Sequence, residues 1–121
     1  MSLNNLSSLV KGEVIFSQEL SSFSEATVNI YLEDVTFIDA PSFCISKQVI
    51  VDINHQKGTI NRVEFALNGK YDENSRYIIT AHVSINGSEE IQRGDYMTME
   101  SYPVLTFGYP NQVSIYVKEV K

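Results

Sequence analysis

Five stretches of this chain repeat a two-residue rhythm, and that rhythm limits the possible fold more than any other feature. Val10, Gly12, Val14 and Phe16 alternate with Lys11, Glu13 and Ile15. Val28, Ile30 and Leu32 alternate with Thr27, Asn29, Tyr31 and Glu33. The same holds for Val63, Phe65 and Leu67, for Tyr77 to Ile85, and for Val113, Ile115 and Val117. Successive side chains of a strand point to opposite faces, so each stretch supplies one face for a core and one for a wetter surface. No segment carries the sustained i, i+3, i+4, i+7 stripe of a core-facing helix. The chain has 24 Val and Ile residues against 11 Leu and Ala. Branching at Cβ suits a pleated sheet and crowds a helix. An all-β fold is expected.

The breaks between these stretches predict an antiparallel topology. Asn86-Gly87 falls between two strand patterns and reads as a tight hairpin turn. Asn68-Gly69, His55-Gln56-Lys57-Gly58 and Gly108-Tyr109-Pro110-Asn111 read as further turns. Pro41, which lacks a ladder donor, closes the second strand pattern. About seven strands in an antiparallel two-sheet β-sandwich follow, immunoglobulin- or transthyretin-like in kind. A chain of 121 residues buries roughly two-thirds of its unfolded surface, enough for one core but not for two. Residues 1–8, with Asn4, Asn5, Ser7 and Ser8, read as a polar leader or trimmed start, and residues 9–121 as a single domain.

Charge and spacing exclude several kinds of chemistry. A net charge of −6 opposes general nucleic-acid binding, which needs basic side chains against phosphates. No apolar run exceeds three residues, so no membrane span or signal-peptide core is legible. His55, in an expected loop, and His82, on an expected outward strand face, lack a second ligand at metal-binding spacing. Asp72-Glu73-Asn74 reads as a solvated turn rather than a calcium loop, since Arg76 follows in place of further ligands. Cys44, between Phe43 and Ile45, reads as a buried thiol. The glycines are isolated, and no nucleophile elbow is present. Glu33-Asp34 and Glu89-Glu90 are sequence neighbours, which in a strand point to opposite faces and so make no catalytic pair by themselves. Asn86-Gly87-Ser88 matches a glycosylation sequon, but the turn explains it. No catalytic residue, metal site or cofactor is expected, and the chain does not read as an enzyme.

The candidate binding residues lie in the C-terminal third. Tyr96, Met97, Met99, Tyr102, Phe107 and Tyr109 fall close together, interrupted by Pro103 and Gly108. They cap one end of the core, or they form a groove for a partner protein. Tyr and Met are suited to the second role, because Tyr joins an apolar body to a polar tip and Met adapts to irregular shapes. An open sheet edge offers a further way to bind, by strand addition.

Two stretches carry a family resemblance. Residues Leu32-Glu33-Asp34-Val35-Thr36-Phe37-Ile38-Asp39-Ala40-Pro41 and Tyr102-Pro103-Val104-Leu105-Thr106, with Gly12, Val63 to Leu67 and Arg76-Tyr77, resemble the YbaY/YscW family. The resemblance spans roughly residues 10–120. Its members are small bacterial lipoproteins, some of them pilotins, which are chaperones for the secretins of type III secretion. The resemblance implies a β-sandwich without catalysis or cofactor that binds a partner protein such as a secretin segment. It also implies a periplasmic or outer-membrane-anchored protein where an N-terminal lipoprotein signal has been trimmed, and a cytoplasmic one otherwise. The stretch from Tyr71 to Ser75 looks shorter than is usual in the family. Asp34, Asp39 and Pro41 read as architectural, fixing the strand exit. The residues alone leave two other roles open, a small-molecule or glycan-binding module and a passive structural module.

Overall fold

The computed structural model describes residues 9–37 and 39–121. The polar leader expected over 1–8, and Ile38 of the first family stretch, lie outside the described residues. The order of elements is β1 (Val10–Phe16), β2 (Phe23–Asp34), β3 (Phe43–His55), β4 (Asn61–Leu67), β5 (Tyr77–Ser84), β6 (Tyr96–Met97), β7 (Pro103–Val104), β8 (Gln112–Tyr116) and β9 (Lys118–Glu119). No helix forms among the described residues. A three-stranded sheet runs β4-β1-β8, and a larger sheet runs β3-β2-β5-β6-β9 with β7 also on β5.

The alternation in sequence becomes the core between the sheets. Val10, Val14 and Phe16 of β1, Val28, Ile30 and Leu32 of β2, and Ile79 and Val83 of β5 are all fully buried. Each such side chain contributes about 1.5–3 kcal/mol relative to leaving it exposed. Pairing is antiparallel except between β1 and β8, which run parallel. That pairing brings Gly12 against Val113 so closely that a Cβ on Gly12 would fall on the Val113 carbonyl oxygen, while Phe65 crowds the other side. Only glycine fits there.

The C-terminal run changes sheets. Gln112–Tyr116 pairs with β1 in the small sheet, and after the buried Val117 the chain pairs Lys118 and Glu119 with β6 in the large one. One strand read from sequence is therefore two short ones, joined where the sandwich closes. On the opposite side β3 and β4 leave the seam open, and the Gln48 side chain bridges it by accepting the Ala66 N–H at 2.8 Å.

Four local expectations are corrected. Asn86-Gly87 does not close a two-residue hairpin. Asn86 instead accepts the Ser88 N–H at 3.0 Å and its amide donates to Gln92 at 2.6 Å, so the chain continues as a long loop from β5 to β6. Cys44 is exposed, not buried. A register shift between Leu32 and Glu33 places it opposite Glu33 at the start of edge strand β3. His55 ends β3 and is buried, with Nδ1 2.6 Å from Asn61 Oδ1 and Nε2 3.1 Å from the Leu20 carbonyl. His82 is also buried rather than open to solvent, because the β5–β6 loop folds over its face of the sheet.

Candidate functional site

The two family stretches converge on one end of the large sheet. Asp34 Oδ1 accepts the Thr36 N–H at 2.9 Å and also the Thr36 hydroxyl. Thr36 Oγ1 in turn accepts the Arg76 N–H at 3.0 Å, and the Val35 N–H donates to the Arg76 carbonyl at 2.8 Å. The exit of β2 is thereby tied to the residue that precedes β5. The architectural role expected of Asp34 is visible in these bonds, and their product is a fixed position for Arg76.

The second stretch holds a loop against the same place. Pro103 and Val104 pair with Ile78 and Tyr77. Thr106 Oγ1 donates to the Ser75 carbonyl at 2.6 Å, and the Leu105 N–H donates to the Pro110 carbonyl at 2.9 Å. Leu105 and Phe107 adopt φ of 74° and 55°. A side chain with this left-handed backbone costs roughly 1–2 kcal/mol, a strain found often at ligand clamps. The strained turn holds Phe107 and Tyr109 outward, 56% and 48% exposed. The Arg76 guanidinium lies over the Phe107 ring, 4.3 Å from its centre.

These residues enclose a cavity of about 210 Å³, with Val35, Ile78 and Pro103 on its apolar walls and Arg76, Phe107 and Tyr109 at its margin. A second cavity, of about 290 Å³, lies on the same sheet between Tyr31, Glu33 and Thr80 on one side and Glu89, Ile91 and Met97 on the other. Burial raises the Tyr31 hydroxyl above its ordinary range, and the nearby Cys44, Glu89 and Glu33 add to the effect.

The β5–β6 loop that walls the second cavity is anchored by Asp95. Its carboxylate sits 2.8 Å from His82 Nε2 and accepts the Ile85 N–H at 3.1 Å and the Gln92 N–H at 3.0 Å. Burial alone would raise the Asp95 carboxyl. The hydrogen bonds from His82, Ile85 and Gln92 outweigh it and hold the group below the usual carboxylate range.

The six residues singled out from sequence divide among different places. Tyr96 is core, packed on Phe23, with its hydroxyl donating to the Ser21 carbonyl at 3.4 Å. Tyr102 is half-buried against the core, and its hydroxyl accepts the Tyr116 N–H at 3.1 Å. Met97 is half-buried in the second cavity, and Met99 is exposed. Phe107 and Tyr109 share the first cavity. Sequence reasoning missed Val35, Arg76 and Ile78, which come from strand ends distant in the chain. The signal was present in part, since Arg76-Tyr77 belongs to the family pattern. Strand addition to β3 is hindered, because register shifts near Ile45 and near Asp52, at φ 59°, break its ladder.

No curated protein matches this chain. Among solved structures, an alternative pilotin from the type II secretion system of Vibrio cholerae is similar, with a TM-score of 0.71 and 25% sequence identity. The match covers 93% of this chain and 96% of that one. The family model for the type III secretion system lipoprotein chaperone YscW matches residues 6–117. With a match over nearly its whole length, and with both family stretches built into one end of the sandwich, the chain belongs to the YscW family of secretion-system lipoprotein chaperones.

Proposed function

We propose that this protein is a pilotin-like accessory chaperone of the bacterial envelope that binds a segment of a secretin subunit at the Phe107–Tyr109 cavity. Its role is capture of a protein partner, not catalysis, at the periplasmic face of a membrane to which a lipid anchor holds it. The observation that carries this reading is the strained turn that keeps two aromatic rings exposed beside an apolar cavity. Rigid aromatic side chains at the margin of a pocket lose little freedom on binding and anchor protein interfaces. Membership of the chaperone family and the likeness to a pilotin support the same reading.

The test is a double substitution, Phe107→Ser with Tyr109→Ser, in the protein expressed beside the secretin of its own host. Co-isolation of the secretin is expected to fall about tenfold, as for the loss of one strong interface anchor. Unchanged co-isolation and unchanged secretin in the outer membrane would remove this site from the reading.

A further inference from the structure

The two cavities share one floor. Arg76, Ile78, Thr80 and His82 are alternate residues along β5 and its entry, so they lie on one face of the sheet. Ile78 lines the first cavity, while Thr80 and His82 line the second. Glu33, also in the second, stands directly opposite Ile78 in the β2–β5 pairing. The cavities are therefore consecutive parts of a single track across the outer face of the large sheet.

Its two cavities carry opposite charge. Arg76 stacks on Phe107 and makes no salt bridge among the described residues. Glu33 and Glu89 line the second cavity with no Lys or Arg among its walls. Glu33 stands beside Ile78 with its carboxylate reaching on to the Thr80 hydroxyl, and Tyr31, Ile91 and Met97 supply apolar surface beyond it. Lys47 lies over the Tyr31 ring, 5.4 Å from its centre. Burial is the main cause of the raised Tyr31 hydroxyl, and Glu89 and Glu33 add to it after Cys44. Arg76 and Thr80 are four residues apart along a strand, a separation of about 13 Å.

We infer that the track takes a charge-polarised partner segment, with an acidic side chain at Arg76, a basic side chain between Glu33 and Glu89, and apolar residues over Ile78 and beside Ile91 and Met97. This inference rests on the proposed capture of a partner segment at the Phe107–Tyr109 cavity and specifies the chemistry of that segment. The track is a sheet face, whose backbone groups are already paired, so recognition falls to side chains. Charge then sets the direction in which the segment lies, while the apolar floor supplies affinity. A basic side chain can lay its aliphatic stem along Ile91 and Met97 and bring its charge to the two carboxylates.

The test uses a capped helical peptide of roughly a dozen residues, long enough at ~1.5 Å per residue to span the track. Its body is leucine and alanine, with one lysine near one end and one glutamate near the other. Binding is followed by fluorescence anisotropy in two thermodynamic cycles. The first combines Glu33→Gln with Glu89→Gln and replaces the peptide lysine by norleucine. The second combines Arg76→Gln with glutamine for the peptide glutamate. Each single change is expected to weaken binding about tenfold, as for loss of a charge-assisted hydrogen bond. The matched second change should then cost little more, whereas mismatched changes should multiply.

Glu33→Gln keeps an acceptor for the Thr80 hydroxyl, which donates to Glu33 at 3.3 Å, and melting temperatures verify that each variant is folded. Multiplying effects within the matched pairs, or no binding of the peptide at all, would overturn the inference. If secretin capture still depends on Phe107 and Tyr109 in that case, the proposed site stands and only its charge chemistry fails. If capture ignores those two residues, the proposed site itself fails.

Discussion

The Arg76 guanidinium covers one face of the Phe107 ring at 4.3 Å, while the ring remains 56% exposed. An aromatic side chain held out by its backbone and steadied by a cation is arranged for contact rather than for the core. Tyr96 shows the contrast, since it is 4% exposed and packs on Phe23. Phe107→Ser with Tyr109→Ser should therefore leave stability within about 1 kcal/mol of the parent, as surface changes do. Tyr96→Ala should cost about 3–5 kcal/mol by opening a cavity in the core. Urea denaturation of both variants checks this, and a large loss in the double variant would place Phe107 and Tyr109 among the structural residues.

Asp95 gives a pH dependence whose sign can be worked out. Its folded-state carboxyl titrates below the usual range. It therefore contributes stability that is fully present above the ordinary value of about 4 and is lost as pH falls through the lower folded value. Asp95→Asn should cost about 3 kcal/mol near neutral pH, because a neutral amide cannot replace the carboxylate's hydrogen bonds to His82, Ile85 and Gln92. The difference between parent and variant should shrink as pH drops below about 4. Denaturant midpoints measured from pH 7 down to pH 3 test it, and a constant difference would show that the Asp95 charge carries none of the stability.

Gly12→Ala should destabilise the protein by about 3 kcal/mol or prevent folding, the upper range for an overpacked site. The added methyl meets backbone at Val113, which cannot move without breaking the β1–β8 ladder. Thermal unfolding of the variant measures the cost. An unchanged melting temperature would mean that the parallel pairing can shift to make room.

Cys44 is exposed at the start of an edge strand, with its thiol near the Ser46 carbonyl at 3.5 Å. It should react with a thiol reagent in the native protein at a rate close to that in denaturant, without a prior unfolding step. A rate that instead tracks global unfolding would contradict the exposure.

What could be read in advance followed from local rules. Val28, Ile30 and Leu32 alternate and all three are buried, because a strand with one covered face leaves no other register. The errors at Cys44, His82 and Asn86 have a different origin. Each depends on a partner outside its own strand pattern: the register shift against Glu33, the Asp95 carboxylate, and the Gln92 amide of the same loop. The same reason divides the candidate site. Aromatic residues near one another in the chain pointed to Phe107 and Tyr109, but neighbours on a strand face in opposite directions, and so Tyr96 went inward. Arg76 and Val35 join the cavity through hydrogen bonds across the β2–β5 end, which no single-chain periodicity reveals.

The sheet-switching C-terminal run also governs when this domain can become a finished object. Glu13 bonds Ser114 across a separation of 101 residues, and the three-stranded sheet lacks its last member until that segment arrives. Long loops close slowly, and chains dominated by such distant pairings fold slowly. During synthesis the earlier strands are left with a sheet they cannot complete while the last stretch is still inside the ribosome. Until that stretch emerges, the edge of β1 that receives β8 stands open, a strand edge with its backbone groups unpaired.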